Sequence, residues 1–173
     1  MKLSFFKKIP NSIFYFLFSK FFVFILFSVF YFLFSVNSVE AAELNLISPT
    51  KEIGVGQQIQ VDLFLDAQNE AINAVEGKII FPGELLELKE IRDGDSIITL
   101  WVDRPKRQDN EIYFSGIIPG GFQGVLSPYY EGGRPGKVFS LIFQAGNESS
   151  GIIEIRDAKV LLNDGKGTQA SLK

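Results

Sequence analysis

The chain has 173 residues, 20 Asp and Glu against 17 Lys and Arg, and neither cysteine nor histidine. Disulfide scaffolds, Cys- or His-based nucleophile pairs, Ser-His-Asp triads and the usual zinc sites are therefore excluded, and any metal would need oxygen ligands. A net charge of −3 leaves no electrostatic footprint for nucleic acid.

The N-terminal stretch has a composition of its own. Lys2, Lys7 and Lys8 precede a nearly continuous apolar run from Ile13 to Val36, and twelve of the eighteen Phe lie before residue 37. Basic residues followed by a long apolar stretch are the layout of a secretory signal or a signal anchor, because flanking positive charge is retained on the cytoplasmic side. A cleaved signal has an apolar region of about 7 to 15 residues and a spanning helix needs about 20. With Lys20 inside it the run approaches the second length, whereas Phe21 to Val36 alone is nearer the first. Val39 and Ala41 occupy the −3 and −1 positions of a cleavage site before Ala42. Two fates stay open: removal of residues 1–42, or retention of residues 13–36 as a membrane anchor. Either way residues 43–173 are expected to be exported, to the cell surface or the extracellular space, as one domain with enough chain for a single core.

In chain order, Leu44 to Ile47 is a short apolar run. Gln57 to Asp66 then puts Ile59, Val61, Leu63 and Leu65 on one face and Gln58, Gln60, Asp62 and Asp66 on the other, which is the period of a half-buried strand. The same alternation covers Val75 to Phe81, Asn110 to Ile117, Val138 to Ala145 (Phe139, Leu141 and Phe143 inward) and Gly151 to Arg156. Shorter runs at Ile97 to Val102 and Lys159 to Leu162 complete a set of eight or about nine strands. Glu84 to Ile91, after Pro82-Gly83, has the option of one helical turn before it continues as a strand. Turn residues separate the runs at Gly54-Val55-Gly56, Asp93-Gly94-Asp95, Pro119-Gly120-Gly121, Gly146-Asn147 and Asp164-Gly165. This punctuation predicts an all-β antiparallel β-sandwich, and the lack of helix-rich sequence after residue 42 excludes an α/β fold.

Five segments carry a family resemblance in their order and spacing. Val55-Gly56-Gln57-Gln58-Ile59-Gln60-Val61, followed by Ile72 to Phe81, resembles the opening of a cohesin domain. There a VGD-x-V-x-V strand precedes an I-x-G-x-x-x-x-I-x-Y/F-D-P strand. Leu85-Leu86-Glu87-Leu88, Gly136 to Phe143 and Ala158 to Gly165 are similar to its later strands, so the resemblance runs from about Leu44 to Thr168. It implies a nine-stranded jelly roll related in fold to carbohydrate-binding modules. It also implies a non-catalytic role: binding a dockerin-type protein partner in the assembly of polysaccharide-degrading enzymes. Calcium would belong to the dockerin, and no cofactor is expected in this chain. Phe81-Pro82-Gly83 departs from the aromatic-Asp-Pro of the family, and Pro119 to Gly136 is unusually rich in Gly.

The candidate binding residues are aromatic. Trp101, the single tryptophan, would be a protein hot spot or sugar platform if exposed, or a packing residue if half-buried. Tyr113 has the parity opposite to Ile112 and Phe114 and is expected to face outward. Phe122, Tyr129 and Tyr130 sit in the Pro119 to Gly136 stretch, as ligand contacts or as caps on the end of the sandwich. Direct polysaccharide binding and a structural surface-layer or adhesion role are the alternatives. A hydrolase built on Glu84, Glu87 and Glu90 would need two carboxylates flanking a cleft, and their spacing equally suits a solvated face. Asp93-Gly94-Asp95 and Asn163 to Gly167 lack the ligand series of a calcium loop and read as turns.

Overall fold

Period-2 alternation becomes eight strands: β1 (Glu43–Ile47), β2 (Gln58–Asp66), β3 (Ile72–Ile80), β4 (Leu86–Arg92), β5 (Leu100–Gln108), β6 (Glu111–Phe122), β7 (Gly136–Ala145) and β8 (Glu154–Leu162). The computed structural model describes residues 20–25, 41–126, 128–129 and 133–173, and the chain divides into two units, Met1–Val39 and Glu40–Lys173. In the first unit residues 20–25 are helical. The remainder of the expected signal or anchor segment lies outside the described residues, and among the described residues no helix is long and apolar enough to cross a membrane.

The strands form two four-stranded sheets, ordered β1-β2-β7-β4 and β5-β6-β3-β8, and every neighbouring pair is antiparallel. Pairing is nested: β2 with β7 in one sheet, β3 with β6 in the other. A long hairpin wound over two layers has this pattern, as in a jelly roll. Between the layers lie Val61, Leu63 and Leu65 of β2, Val75 and Ile79 of β3, Ile112 and Phe114 of β6, Phe139, Leu141 and Phe143 of β7, and Val160 of β8. Phe139, Leu141 and Phe143 face inward, as their parity predicts, and are fully buried. Phe81 packs on Phe143, and Phe114 edge-on against Phe139, each at 5.1 Å between ring centres. Full burial of each such side chain stabilises the fold by roughly 1.5–3 kcal/mol.

Four expectations are corrected. Of the eight or nine strands expected there are eight, and the two runs expected at Gly151 to Arg156 and Lys159 to Leu162 merge into one strand that begins only at Glu154: β8 passes over a register shift opposite Glu76 and Lys78, with Asp157 at φ 51°. A remnant of a further strand exists in the tail, where Gln169 bridges Leu161 and Leu172 bridges Ala42. The strand expected at Ile97 to Val102 instead runs from Leu100 to Gln108; Ile98 is buried in the core, and the Ile97 N–H donates to the Lys137 carbonyl at 2.8 Å. Pro119-Gly120-Gly121 does not end β6. Both glycines have positive φ, 88° and 83°, and they let the strand bulge so that Phe122 regains pairing with Ile72. Phe122 is therefore no loop aromatic: it is a buried core residue, and a Cβ on Gly136 would stand 2.6 Å from its Cζ.

At Pro82 the chain makes one tight turn, the N–H groups of Leu85 and Leu86 both donating to the Pro82 carbonyl at 2.9 Å. It then continues as β4. Gly83 lets the Asn110 side chain lie against the turn, since a Cβ here would fall 1.9 Å from Asn110 Oδ1 and would displace that amide.

Candidate binding face

In the β5-β6-β3-β8 sheet, inward residues are buried and their neighbours form a broad outer face. Cross-strand register organises that face into rows. The first is apolar and crosses all four strands: Leu100, Ile117, Ala74 and Leu161. The second is Asp103, Ser115, Glu76 and Lys159, and the third begins Lys106, Tyr113, Lys78. Leu100 is 53% exposed and Val102, on the neighbouring bulge of β5, 63% exposed.

Charges beside the apolar row are paired. Lys78 Nζ lies 3.2 Å from Asp157 Oδ2 and 3.4 Å from Glu111 Oε1. Lys159 meets Glu76 at 2.9 Å, and Lys106 meets Asp103 at 2.8 Å. The Tyr113 hydroxyl donates to Glu111 Oε2, and the Lys78 ammonium stands 5.9 Å from the centre of the Tyr113 ring. Hydrogen bonding to Asp157 holds the Lys78 pKa above its ordinary value. The bond from Tyr113 holds the Glu111 carboxyl low and in turn raises the phenol. Between these rows is a shallow concavity of about 300 Å³, lined by Glu76, Lys78, Asp103, Tyr113, Ser115, Asp157 and Lys159 among others. Fixed charges in complementary pairs beside an open apolar strip suit recognition of a protein surface.

The opposite outer face differs in chemistry. Gln58, Gln60 and Asp62 of β2 lie beside Gln144 of β7 and Glu87 and Glu90 of β4, and Ser140 and Ile142 beneath them are buried. Glu87 pairs with Lys89 at 2.5 Å and Glu90 with Arg92 at 2.6 Å. The arginine holds the Glu90 carboxyl below its ordinary range, the reverse of what a glycosidase general acid requires. Asp93 and Asp95 are engaged by Arg104 at 2.6 Å and Lys137 at 2.7 Å. Among the described residues no group of three or more acidic side chains is placed to hold a metal ion.

The candidate aromatics separate. Tyr113 lies on the outer face of the sheet, in contact with Glu111 and Lys78. Trp101 pairs with Gly116 on the inner side and packs, half-buried, on Phe139 at 6.5 Å between ring centres. Phe122 is in the core. Tyr129 is 88% exposed in the β6–β7 loop, and Tyr130 lies outside the described residues. Sequence reasoning missed the apolar row, because each member sits on a different strand and only the register brings them together.

Neither a family model nor a curated protein matches the chain, whereas solved structures do. A cohesin module from a Clostridium perfringens family 33 glycoside hydrolase has a TM-score of 0.58 at 12% identity, covering 78% of this chain and 91% of that one. A non-cellulosomal cohesin from the archaeon Archaeoglobus fulgidus scores 0.53 at 17% identity, over 75% and 84% of the two chains. The sixth cohesin of Acetivibrio cellulolyticus scaffoldin B, solved in complex with a dockerin, scores 0.51 at 14% identity, over 76% and 93%. The sandwich unit of this chain has the cohesin fold.

Proposed function

We propose that the chain is a non-catalytic cohesin-like module that captures a dockerin-type protein on the outer face of the β5-β6-β3-β8 sheet. The observation that carries this reading is the row Leu100, Ile117, Ala74 and Leu161, flanked by ion pairs, on a fold shared with cohesins solved bound to dockerins. Burying the row against an apolar patch of the partner supplies affinity, and the paired charges beside it set register and exclude mismatched surfaces. Calcium belongs to the partner. The N-terminal composition adds an exported setting, with residues 13–36 kept as a membrane anchor, so that the module works at the cell surface and recruits polysaccharide-degrading enzymes.

The test is a pull-down with purified Glu43 to Lys173 against extracellular proteins of the source organism, with and without calcium, with insoluble cellulose and chitin in parallel. Calcium-dependent capture of a protein carrying paired calcium loops supports the reading. Retention on polysaccharide alone overturns it in favour of a sugar-binding module. The geometry favours the first outcome, since a sugar platform needs a row of exposed aromatics and Tyr113 is the one aromatic on this face among the described residues.

A further inference from the structure

The peptide bond between Ala41 and Ala42 lies at the edge of the sandwich. Val39 and Ala41 stand at −3 and −1 to it, the small-residue pattern that a signal peptidase reads. Ala42 itself is fully buried and belongs to the core cluster. It bridges Leu172, and its carbonyl accepts the Lys173 N–H at 3.2 Å. The next residue, Glu43, opens β1 opposite Asp66, and its carboxylate lies 3.6 Å from the Lys173 ammonium. The bond thus abuts the ladder directly.

A peptidase takes its substrate as an extended segment whose backbone groups are free to pair with the enzyme. Downstream of Ala41 those groups are already committed to the protein's own sheets. Cutting the folded unit requires Ala42 and Glu43 to peel away from Leu172 and Asp66, and Leu172 to give up its packing on the core. The closing residues come late: all eight strands precede Leu172, so the bond lies open while the chain emerges and is covered when the tail docks.

We infer that the 41–42 bond is a processing site masked by the fold, cut in the open chain and withheld once Leu172 and Lys173 close over Ala42. The inference rests on the exported reading of the N-terminal residues, and it is separate from the candidate face. Hydrolysis adds water across the amide, leaving a carboxylate on Ala41 and an amino group on Ala42. The order of events decides between the two fates open to the sequence. Processing before the tail docks releases residues 42–173, and docking first keeps residues 1–41 attached.

The full chain in detergent micelles is incubated with a purified bacterial signal peptidase, and intact mass follows the 42–173 product. Leu172→Asp opens the seam, and Ile152→Asp, at a residue 78% exposed ahead of β8, is the control. Cleavage of wild type and of Ile152→Asp is expected to be at least about tenfold slower than that of Leu172→Asp, because it waits on local opening. Wild type diluted from urea straight into the enzyme is expected to be cut as fast as Leu172→Asp. Equal rates for folded wild type and Leu172→Asp overturn the mask while leaving the processing site. Slow cutting of Leu172→Asp beside fast cutting of the urea-diluted chain overturns the role of the seam. Absence of the 42–173 product from every sample, the urea-diluted one included, overturns the processing site and leaves retention of the N-terminal residues.

Discussion

Asp157 reaches the Lys78 ammonium, Oδ2 to Nζ at 3.2 Å, from a backbone position that ordinary strand geometry does not provide. Its φ of 51° sits where the β3–β8 register shifts between Glu76 and Lys78, and the shift turns the carboxylate across the sheet. A bulge thus re-aims one side chain and couples an edge strand to the middle of the candidate face. Gly77 opposite makes the fit possible, since a Cβ there would meet the Ala158 Cα at 3.2 Å.

This cluster limits stability at both ends of the pH scale. Glu111 has a folded pKa below its ordinary 4.5, chiefly through the Tyr113 hydroxyl. Its contribution is complete above that ordinary value and is lost as pH falls through the lowered one. Lys78 is raised above 10.5, chiefly by Asp157, so its contribution is complete below that value and is lost as pH rises through the folded one. Urea unfolding across pH is expected to show an acid limb that flattens in Glu111→Gln and an alkaline limb that flattens in Lys78→Met. Unchanged limbs in both variants would remove the cluster from the pH response.

Gly116→Ala is expected to destabilise the sandwich. The new methyl would stand 2.3 Å from Ile98 Cγ2 and 3.1 Å from Trp101 Cε3. Overpacking of this kind costs about 1–3 kcal/mol, measurable as a lower urea midpoint, and the displaced indole is expected to shift its fluorescence.

Charge placed in the apolar row is expected to abolish partner capture without unfolding the domain. Leu100→Glu introduces a carboxylate at a position already half open to water, where a surface substitution changes stability by about 0.5 kcal/mol or less. Loss of a central anchor weakens an interface by at least about 2 kcal/mol, or more than tenfold in Kd. Gln58→Glu, on the other sheet, is expected to bind as wild type. Titration calorimetry against the captured partner measures both, and equal losses would place the interface elsewhere.

Chelation separates module from partner. Thermal unfolding of Glu43 to Lys173 is expected to be the same in EDTA as in calcium, because the acidic turns are tied to Arg104 and Lys137 at Asp93 and Asp95, and at Asp164 to its own turn through the Lys166 N–H at 2.8 Å. Capture of the partner is expected to disappear in EDTA. A calcium-dependent midpoint for the module alone would place the ion in this chain.

The inner halves of the strands were legible because Val61, Leu63 and Leu65, or Ile112 and Phe114, repeat with period two. β5 was not, because it lies at a sheet edge and reads Asp103-Arg104-Pro105-Lys106-Arg107 with no apolar alternation; Pro105 is tolerated where no ladder N–H is needed. The Ile97-Ile98 pair, which does look like a strand, anchors the preceding loop. Gly120 and Gly121 carried a turn signal that the structure uses as a bulge inside β6, which moved Phe122 from the candidate site into the core. Of the site itself, sequence parity correctly turned Tyr113 outward, but the apolar row depends on register, and register is set by bulges at Asp157 and near Asp103 that no local pattern announces.

The tail has a topological consequence. Leu162 N–H bonds to the Thr168 carbonyl and Ala170 N–H to that of Val160, both at 2.8 Å, and Lys173 N–H reaches the Ala42 carbonyl at 3.2 Å. Both ends of the sandwich unit meet at one seam, so its fold is in effect a closed circuit. A circular permutant that joins residue 173 to residue 42 through a short linker and opens the exposed turn at residues 147–150 keeps every strand pair. It would present the candidate face unchanged while moving both chain termini to the far end of the sandwich.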